Sequence, residues 1–102
     1  MEFRIADTFI DSLARLTDQE QKPVKTTAFD LQMDPAHPGM QLHKLHRPRD
    51  PSFRSVRVSR DLRLIVHQSK ATLLLCYVGH HDDAYRWAVS YTHLTLPTIL
   101  LV

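Results

Sequence analysis

The 102-residue sequence predicts an α+β domain in which an N-terminal strand and a helix hairpin pack on an antiparallel β-sheet meander. Three observations predict it. Apolar residues recur at helical spacing between Phe9 and Met33, Asp34-Pro35-Ala36-His37-Pro38-Gly39 interrupts them, and beyond that loop the apolar period becomes two. The later extended runs are joined by short connectors around Arg60-Asp61 and Gln68 to Ala71, which favours neighbouring antiparallel strands.

Phe3-Arg4-Ile5-Ala6 alternates weakly and reads as a short first strand. Asp7 or Thr8 is placed to cap a helix whose apolar residues Phe9, Ile10, Leu13 and Leu16 fall on one stripe. Thr17-Asp18-Gln19-Glu20 has the form of a capping box, and Val24, Ala28, Leu31 and Met33 carry an apolar face onward. Pro23 lies past the first turn and lacks a backbone donor, so the spacing predicts a distorted start or a helix beginning nearer Pro23. The connection between the helices is very short, which makes them a hairpin.

Met40, Leu42 and Leu45 suggest a short extended piece before a second punctuated loop, Arg47-Pro48-Arg49-Asp50-Pro51. Between Ser52 and Ser59 the alternation places Arg54, Val56 and Val58 on one side and Phe53, Ser55 and Arg57 on the other. Leu62, Leu64 and Val66 alternate with Arg63, Ile65 and His67 in the next strand. Thr72 to Val78 is almost wholly apolar, as a central strand covered on both faces would be. One face of the sheet is expected to lie on the helix hairpin and the other to be open, with Arg57 and Arg63 sharing that open surface from neighbouring strands.

The chain has room for a single hydrophobic core, and its 43% apolar and 24% charged residues are ordinary for a globular protein. A net charge of +2 conceals a basic middle block between residues 35 and 63: Lys44, Arg47, Arg49, Arg54, Arg57, Arg60 and Arg63. Arginine dominates it, and the planar guanidinium suits phosphate. Phosphate contact through that block is weighed against a merely solvated charged face. The one cysteine, Cys76, lies in an apolar run, which excludes an intrachain disulfide and points to a buried thiol in the reducing cytosol. Residues 1–7 carry charge where a signal peptide would be apolar, and no run reaches the roughly 18 apolar residues of a membrane span. A cytoplasmic protein without a membrane partner is expected.

The most polar stretch is Gly79-His80-His81-Asp82-Asp83-Ala84-Tyr85-Arg86-Trp87-Ala88. Asp82 and Asp83 are good helix starters after a strand, with either one capping Ala84 to Ala88. The same stretch offers acid/base groups, because an imidazole exchanges protons near neutral pH. Adjacent histidines on a strand point to opposite faces and no helical His pair or cysteine partner accompanies them, so no metal is expected. No cofactor is expected either. His37, His43, His46 and His67 read as solvated loop or edge residues, and Phe53 and Trp87 as core or rim anchors or as stacking surfaces for bases.

Residues 89–102, VSYTHLTLPTILLV, carry no charge and end in a bare apolar string. A terminal edge strand is one reading. Their similarity to a translated sequencing-adapter read-through favours another, in which the domain comprises residues 1–88 and residues 89–102 are a non-native tail.

The order of elements, together with Leu42-His43-Lys44-Leu45, Ser55-Val56-Arg57-Val58, Asp61-Leu62-Arg63-Leu64-Ile65-Val66 and Val78-Gly79-His80-His81-Asp82-Asp83-Ala84-Tyr85, resembles the RelE/ParE superfamily of bacterial toxins over residues 1–88. Longer strings, FRIADTF, KTTAFDLQ, SVRVSRD, RLIVH and HHDDAYRWA, are similar to the RelE-like segment at the N-terminus of some UvrD-like superfamily 1 DNA helicases. That resemblance implies a fragment, an accessory nucleic-acid-binding or protein-contacting domain covalently attached to helicase domains, with phosphate affinity from Arg54, Arg57, Arg60 and Arg63. The chain itself has only Gly39 and Gly79 and lacks the phosphate-binding loop of an ATPase. The superfamily resemblance implies an alternative, a type II toxin that cleaves mRNA on the ribosome and is partnered by an antitoxin. For that alternative the matching catalytic positions are Arg57, Arg63, His81 and Tyr85, while Lys44, Arg47, Arg49, Arg54 and Arg60 would contact RNA or DNA. Leu62 stands where many relatives carry an aromatic residue.

Overall fold

The computed structural model describes residues 2–33, 42–45 and 51–90, with the backbone of residues 99–100. Strand β1 (Glu2–Ala6) leads into helices α1 (Asp7–Ala14) and α2 (Asp18–Met33) and a two-residue strand β2 (His43–Lys44). Strands β3 (Phe53–Arg57), β4 (Leu62–Gln68) and β5 (Thr72–His80) follow, then helix α3 (His81–Ser90) and a short strand β6 (Ile99–Leu100). The strands form one sheet in the order β2-β3-β4-β5-β1-β6. β3, β4 and β5 are the expected meander, and β1 runs parallel to β5 with Ile5 opposite Leu75. β6 pairs antiparallel with β1, and α3 continues to Ser90, past the boundary expected at residue 88.

Helix α1 differs from expectation at its start and on its buried face. Ala6, in extended conformation, occupies the capping position without a side-chain cap; the Asp7 carboxylate instead accepts the Thr8 N–H, inside the first turn. Ile10 is 43% exposed, and Ser12 is buried in its place. The reason lies in β5. The ladder between β1 and β5 ends with Ile5 opposite Leu75, and among the described residues no strand pairs with that edge of β5 beyond it. Thr8 and Ser12, one helical turn apart, take over: the Thr8 hydroxyl donates to the Cys76 carbonyl, and Ser12 Oγ accepts the Val78 N–H at 3.0 Å while donating to the Phe9 carbonyl at 2.9 Å. Hydroxyls substitute for a missing strand, and the buried backbone groups are satisfied.

Helix α2 begins at the capping box rather than near Pro23. Glu20 N–H donates to Thr17 Oγ1 at 3.2 Å, and Thr17 N–H donates to Glu20 Oε1 at 2.9 Å. Pro23 lies inside the helix, where the packing of Val24 and Leu31 against the sheet outweighs the one lost backbone bond. Gln21 Nε2 donates to the carbonyls of Leu13 and Leu16, closing the end of α1 and tying the hairpin together. Met33, expected on the apolar face, is exposed. Thr17→Ala removes one half of the box and is expected to lower the unfolding free energy by about 1 kcal/mol, read by urea denaturation at constant m-value.

The sheet buries both faces, which corrects the expectation of one open face. On one side Phe9, Val24 and Leu31 from the helix hairpin meet Val56, Leu62, Leu64, Val66, Leu73, Leu75 and Val78. On the other, α3 lays Ala84 and Ala88 over Phe53, Ile65, Leu74 and Cys76, with Tyr77 and Trp87 packed alongside. A bulge between β4 and β5 adds to that second cluster: Ile65 faces Tyr77 and Val66 faces Leu75, leaving Cys76 as the extra residue. Consecutive residues Cys76 and Tyr77 thereby join the same face. His67, expected to be solvated, is half-buried with its ring edge-on to Phe53.

Candidate functional site

The end of the sheet near the β3–β4 turn carries Arg57, Arg60, Arg63 and the start of α3 with His81, four of the site residues expected from sequence. Arg57 and Arg63 are direct cross-strand partners. The Val58 N–H bonds the Leu62 carbonyl, so the neighbouring arginine pair occupies a non-hydrogen-bonded position, where Cα atoms lie about 4.5 Å apart and side chains are closest. Two like charges facing each other in this way destabilise the pair of strands. The Ser59 carbonyl offsets part of that cost by accepting from both, from Arg63 Nη1 at 2.8 Å and from Arg57 Nε at 3.4 Å. Arg63 Nη1 also reaches the carbonyls of Leu62 and Arg60 at 3.0 and 3.3 Å. Each guanidinium is anchored through one nitrogen, and the remaining donors are those with which such a fork holds a phosphate oxygen pair.

The residue opposite Arg63 on β5 is Gly79. A methyl group there would come within 3.2 Å of the Tyr77 ring, so the absence of a side chain lets that ring lie over the strand beside the arginines. Tyr77 in turn stacks on Trp87, with centroids 5.0 Å apart and planes 11° from parallel. Tyr77 was not among the site residues expected from sequence; the signal was its place two residues before a glycine at the end of a long strand.

His81 opens α3, and its backbone N–H donates to the Asp61 carbonyl at 2.7 Å, which joins the start of the helix to the β3–β4 turn. Its Nδ1 lies 3.1 Å from Asp82 Oδ1, so Nε2 is the nitrogen left for proton exchange. Tyr85 follows one helical turn later. Of the four catalytic positions expected, Arg57 and Arg63 are paired directly, and His81 is tied to the turn between them.

The residues expected from sequence to contact nucleic acid are dispersed by comparison. Lys44 and Arg54 are cross-strand partners on the face of Val56 and Val66, opposite to that of Arg57 and Arg63. Arg54 Nη1 is turned back to the Phe53 carbonyl at 2.9 Å. Arg60 is exposed in the β3–β4 turn, and Arg47 and Arg49 lie outside the described residues. Phe53 is fully buried and unavailable for base stacking, and Leu62 is buried against the helix hairpin.

A cluster beside this site is absent from the sequence reading. His80, at the end of β5, places Nε2 3.1 Å from Glu20 Oε2 of α2, and its Nδ1 contacts Asp61 of the turn. The hydrogen bond to Asp61 is the chief cause that raises the His80 pKa above its ordinary value, with charge from Asp61, Glu20 and Asp83 adding to it and burial opposing it. The same bond lowers Asp61, while Glu20 is lowered chiefly by the Thr17 N–H. Alternation places His80 on the face of Val78, toward α2, and away from Gly79.

No protein-family model and no curated protein matches the chain. Solved structures do. The toxin YafQ from Escherichia coli BL21(DE3) superposes with a TM-score of 0.65 at 15% identity, covering 82% of this chain and 97% of its own. The RelB-RelE antitoxin-toxin complex from Methanococcus jannaschii gives 0.64 at 16% identity, covering 85% of this chain and 98% of that one. The toxin-antitoxin complex RelBE2 from Mycobacterium tuberculosis gives 0.61 at 23% identity, covering 78% and 96%. The chain has the RelE/YafQ toxin fold. The α+β architecture expected from sequence is therefore the observed one, and nearly the whole length of each RelE-type chain is represented in it. These structural neighbours are toxins and toxin–antitoxin complexes, and nothing among them supports attachment to a UvrD-like helicase. Among the described residues, no helix is long and apolar enough to cross a membrane.

Proposed function

We propose that the chain is a toxin of the RelE/YafQ type, an endoribonuclease that cleaves mRNA on the ribosome and is neutralised by an antitoxin. The observation that carries this reading is the cross-strand pair Arg57–Arg63, two guanidinium groups held at one carbonyl beside the start of α3. Such a pair costs the fold stability unless an anion occupies it, and a scissile phosphate is an anion of the right shape. Cleavage proceeds by attack of the 2′-oxygen on phosphorus as the bond to the 5′-oxygen breaks. One proton leaves the 2′-hydroxyl and one must reach the departing 5′-oxygen, and the arginines meet the charge that builds on the phosphoryl oxygens between those events. His81 and Tyr85, one turn apart on α3, are the groups assigned to proton exchange. The M. tuberculosis and M. jannaschii relatives are complexes with antitoxins, which supports an antitoxin as the partner here.

Controlled expression in a bacterial host tests the reading. The full chain is expected to arrest growth with loss of intact mRNA, and Arg57→Ala or His81→Ala is expected to relieve the arrest at equal protein level. Growth indifferent to the unmutated protein would overturn the assignment.

A further inference from the structure

The arginine pair sits on a turn, and what holds that turn is as consequential as the arginines themselves. Three segments distant in sequence meet at His80: the N-terminus of α2 through Glu20, the β3–β4 turn through Asp61, and the junction of β5 with α3 through His80 itself. Both ring nitrogens face carboxylates. A neutral imidazole has one N–H and can donate to only one of them; the imidazolium has two and donates to both. Glu20 is shared in a further way, since its Oε1 closes the capping box of α2 while Oε2 meets His80. Asp61 is shared too, because its backbone carbonyl accepts the His81 N–H while its side chain meets His80.

We propose that His80 is a positioning residue: as an imidazolium clasp between Glu20 and Asp61, it holds the β3–β4 turn in the geometry that aims Arg57 and Arg63 at phosphate. The mechanical path is short. Asp61 is two residues from Ser59, whose carbonyl anchors both guanidinium groups, and two residues from Arg63. The charged groups that face the clasp are Glu20 on α2, Asp61 on the turn and Asp83 on α3, all acidic, with Arg63 on β4 acting on Asp61. Negative charge from three elements favours the doubly protonated ring. The raised His80 pKa agrees with that balance.

The consequence has a definite sign. The folded protein holds the His80 proton more tightly than the unfolded chain, so the clasp contributes fully below about pH 6.5 and is lost as pH rises through the raised value. Glu20 and Asp61 work in the opposite direction: their contribution is present above the ordinary carboxylate range and is lost as pH falls through their lowered values. The clasp is therefore complete in mildly acidic solution and opens on the alkaline side. The consequence for RNA rests on the functional reading above; the coupling between His80 and the arginines does not.

The test follows the His80 ring and the Arg57 and Arg63 Nε–H signals of the full-length protein by NMR across pH, and in parallel measures the affinity of a short mixed-sequence single-stranded RNA. The arginine signals are expected to shift with the same midpoint as the ring, and that midpoint is expected to move to lower pH in Glu20→Gln and in Asp61→Asn. RNA affinity is expected to fall by about fivefold through the same step, a modest coupling. The step is expected to vanish in His80→Gln, a variant whose folding is checked by its dispersion. Arginine signals that ignore the ring titration, or a step that survives unchanged in His80→Gln, would overturn the proposal. Coupled arginine signals in a protein that binds no RNA at any pH would uphold the clasp and remove the nucleic-acid reading alone.

Discussion

Arg63→Ala is expected, on the proposed ribonuclease function, to lower the rate of RNA cleavage by about 10²- to 10³-fold, the cost of removing one donor aimed at charge that develops in a transition state. Arg63 carries this expectation more than Arg57 because it is the better anchored of the two. Its Nη1 reaches three backbone carbonyls, whereas Arg57 makes one longer contact to Ser59. A guanidinium fixed in place gives up little freedom when phosphate arrives, and a flexible one gives up more. The substitution should leave folding nearly intact: it removes a like-charge pair, and the carbonyls it frees lie at a turn within reach of water. Arg63→Lys restores charge without the fork and is expected to fall between wild type and alanine. Single-turnover cleavage of ribosome-bound mRNA gives the number. Activity within about threefold of wild type, on a scale where a transition-state contact contributes at least a hundredfold, would show that the pair is not the electrostatic centre.

Phe53→Ala is expected to remove about 3–5 kcal/mol of stability. Phe53 is completely buried, and its ring meets His67 edge-on at 5.3 Å and Trp87 at 5.7 Å. It is the largest fully buried side chain among the described residues, and truncation would leave a cavity in the cluster it shares with Ile65, Leu74, Cys76, Ala84 and Ala88. Since domains of this size have total stabilities of only about 5–15 kcal/mol, most of the margin would be lost. Urea denaturation followed by Trp87 fluorescence reads both the global loss and the loosening of α3. A change below about 1 kcal/mol, far under the usual range for a buried phenylalanine, would mean that the second cluster contributes little to the fold.

The two layers of the protein were unequally legible. The helix hairpin and the first core cluster follow from local spacing, because an amphipathic helix and an alternating strand each announce the face they bury. Pro23 misled for the same reason that it is tolerated: a local rule predicts a break, while Val24 and Leu31 hold the helix to the sheet. Ile10 and Ser12 exchanged their expected places because Ser12 answers a backbone donor on β5, sixty-six residues away, that no local pattern reveals. A second covered face was legible in the wholly apolar run from Thr72 to Val78, but that Cys76 and Tyr77 share it was hidden by the bulge, which sends two neighbours of an otherwise alternating strand to one face. Arg57 and Arg63 were placed on one surface by alternation, but their direct pairing depends on the hairpin register. Arg54 belongs to the opposite face, so the row of arginines in the sequence is not one row in space.

From the sequence alone come the α+β class, the helix hairpin with its capping box, the three-strand meander and the common side of Arg57 and Arg63. These are properties of period and punctuation, each readable within about a dozen residues. The parallel pairing of β1 with β5, the cover that α3 lays over the second face, the Thr8 and Ser12 hydroxyls at the open edge of β5, and the meeting of Glu20, Asp61 and His80 were decided only in the tertiary structure. Each joins groups far apart along the chain, and which partners meet is set by the packing of the whole core and by the need to satisfy every buried backbone group.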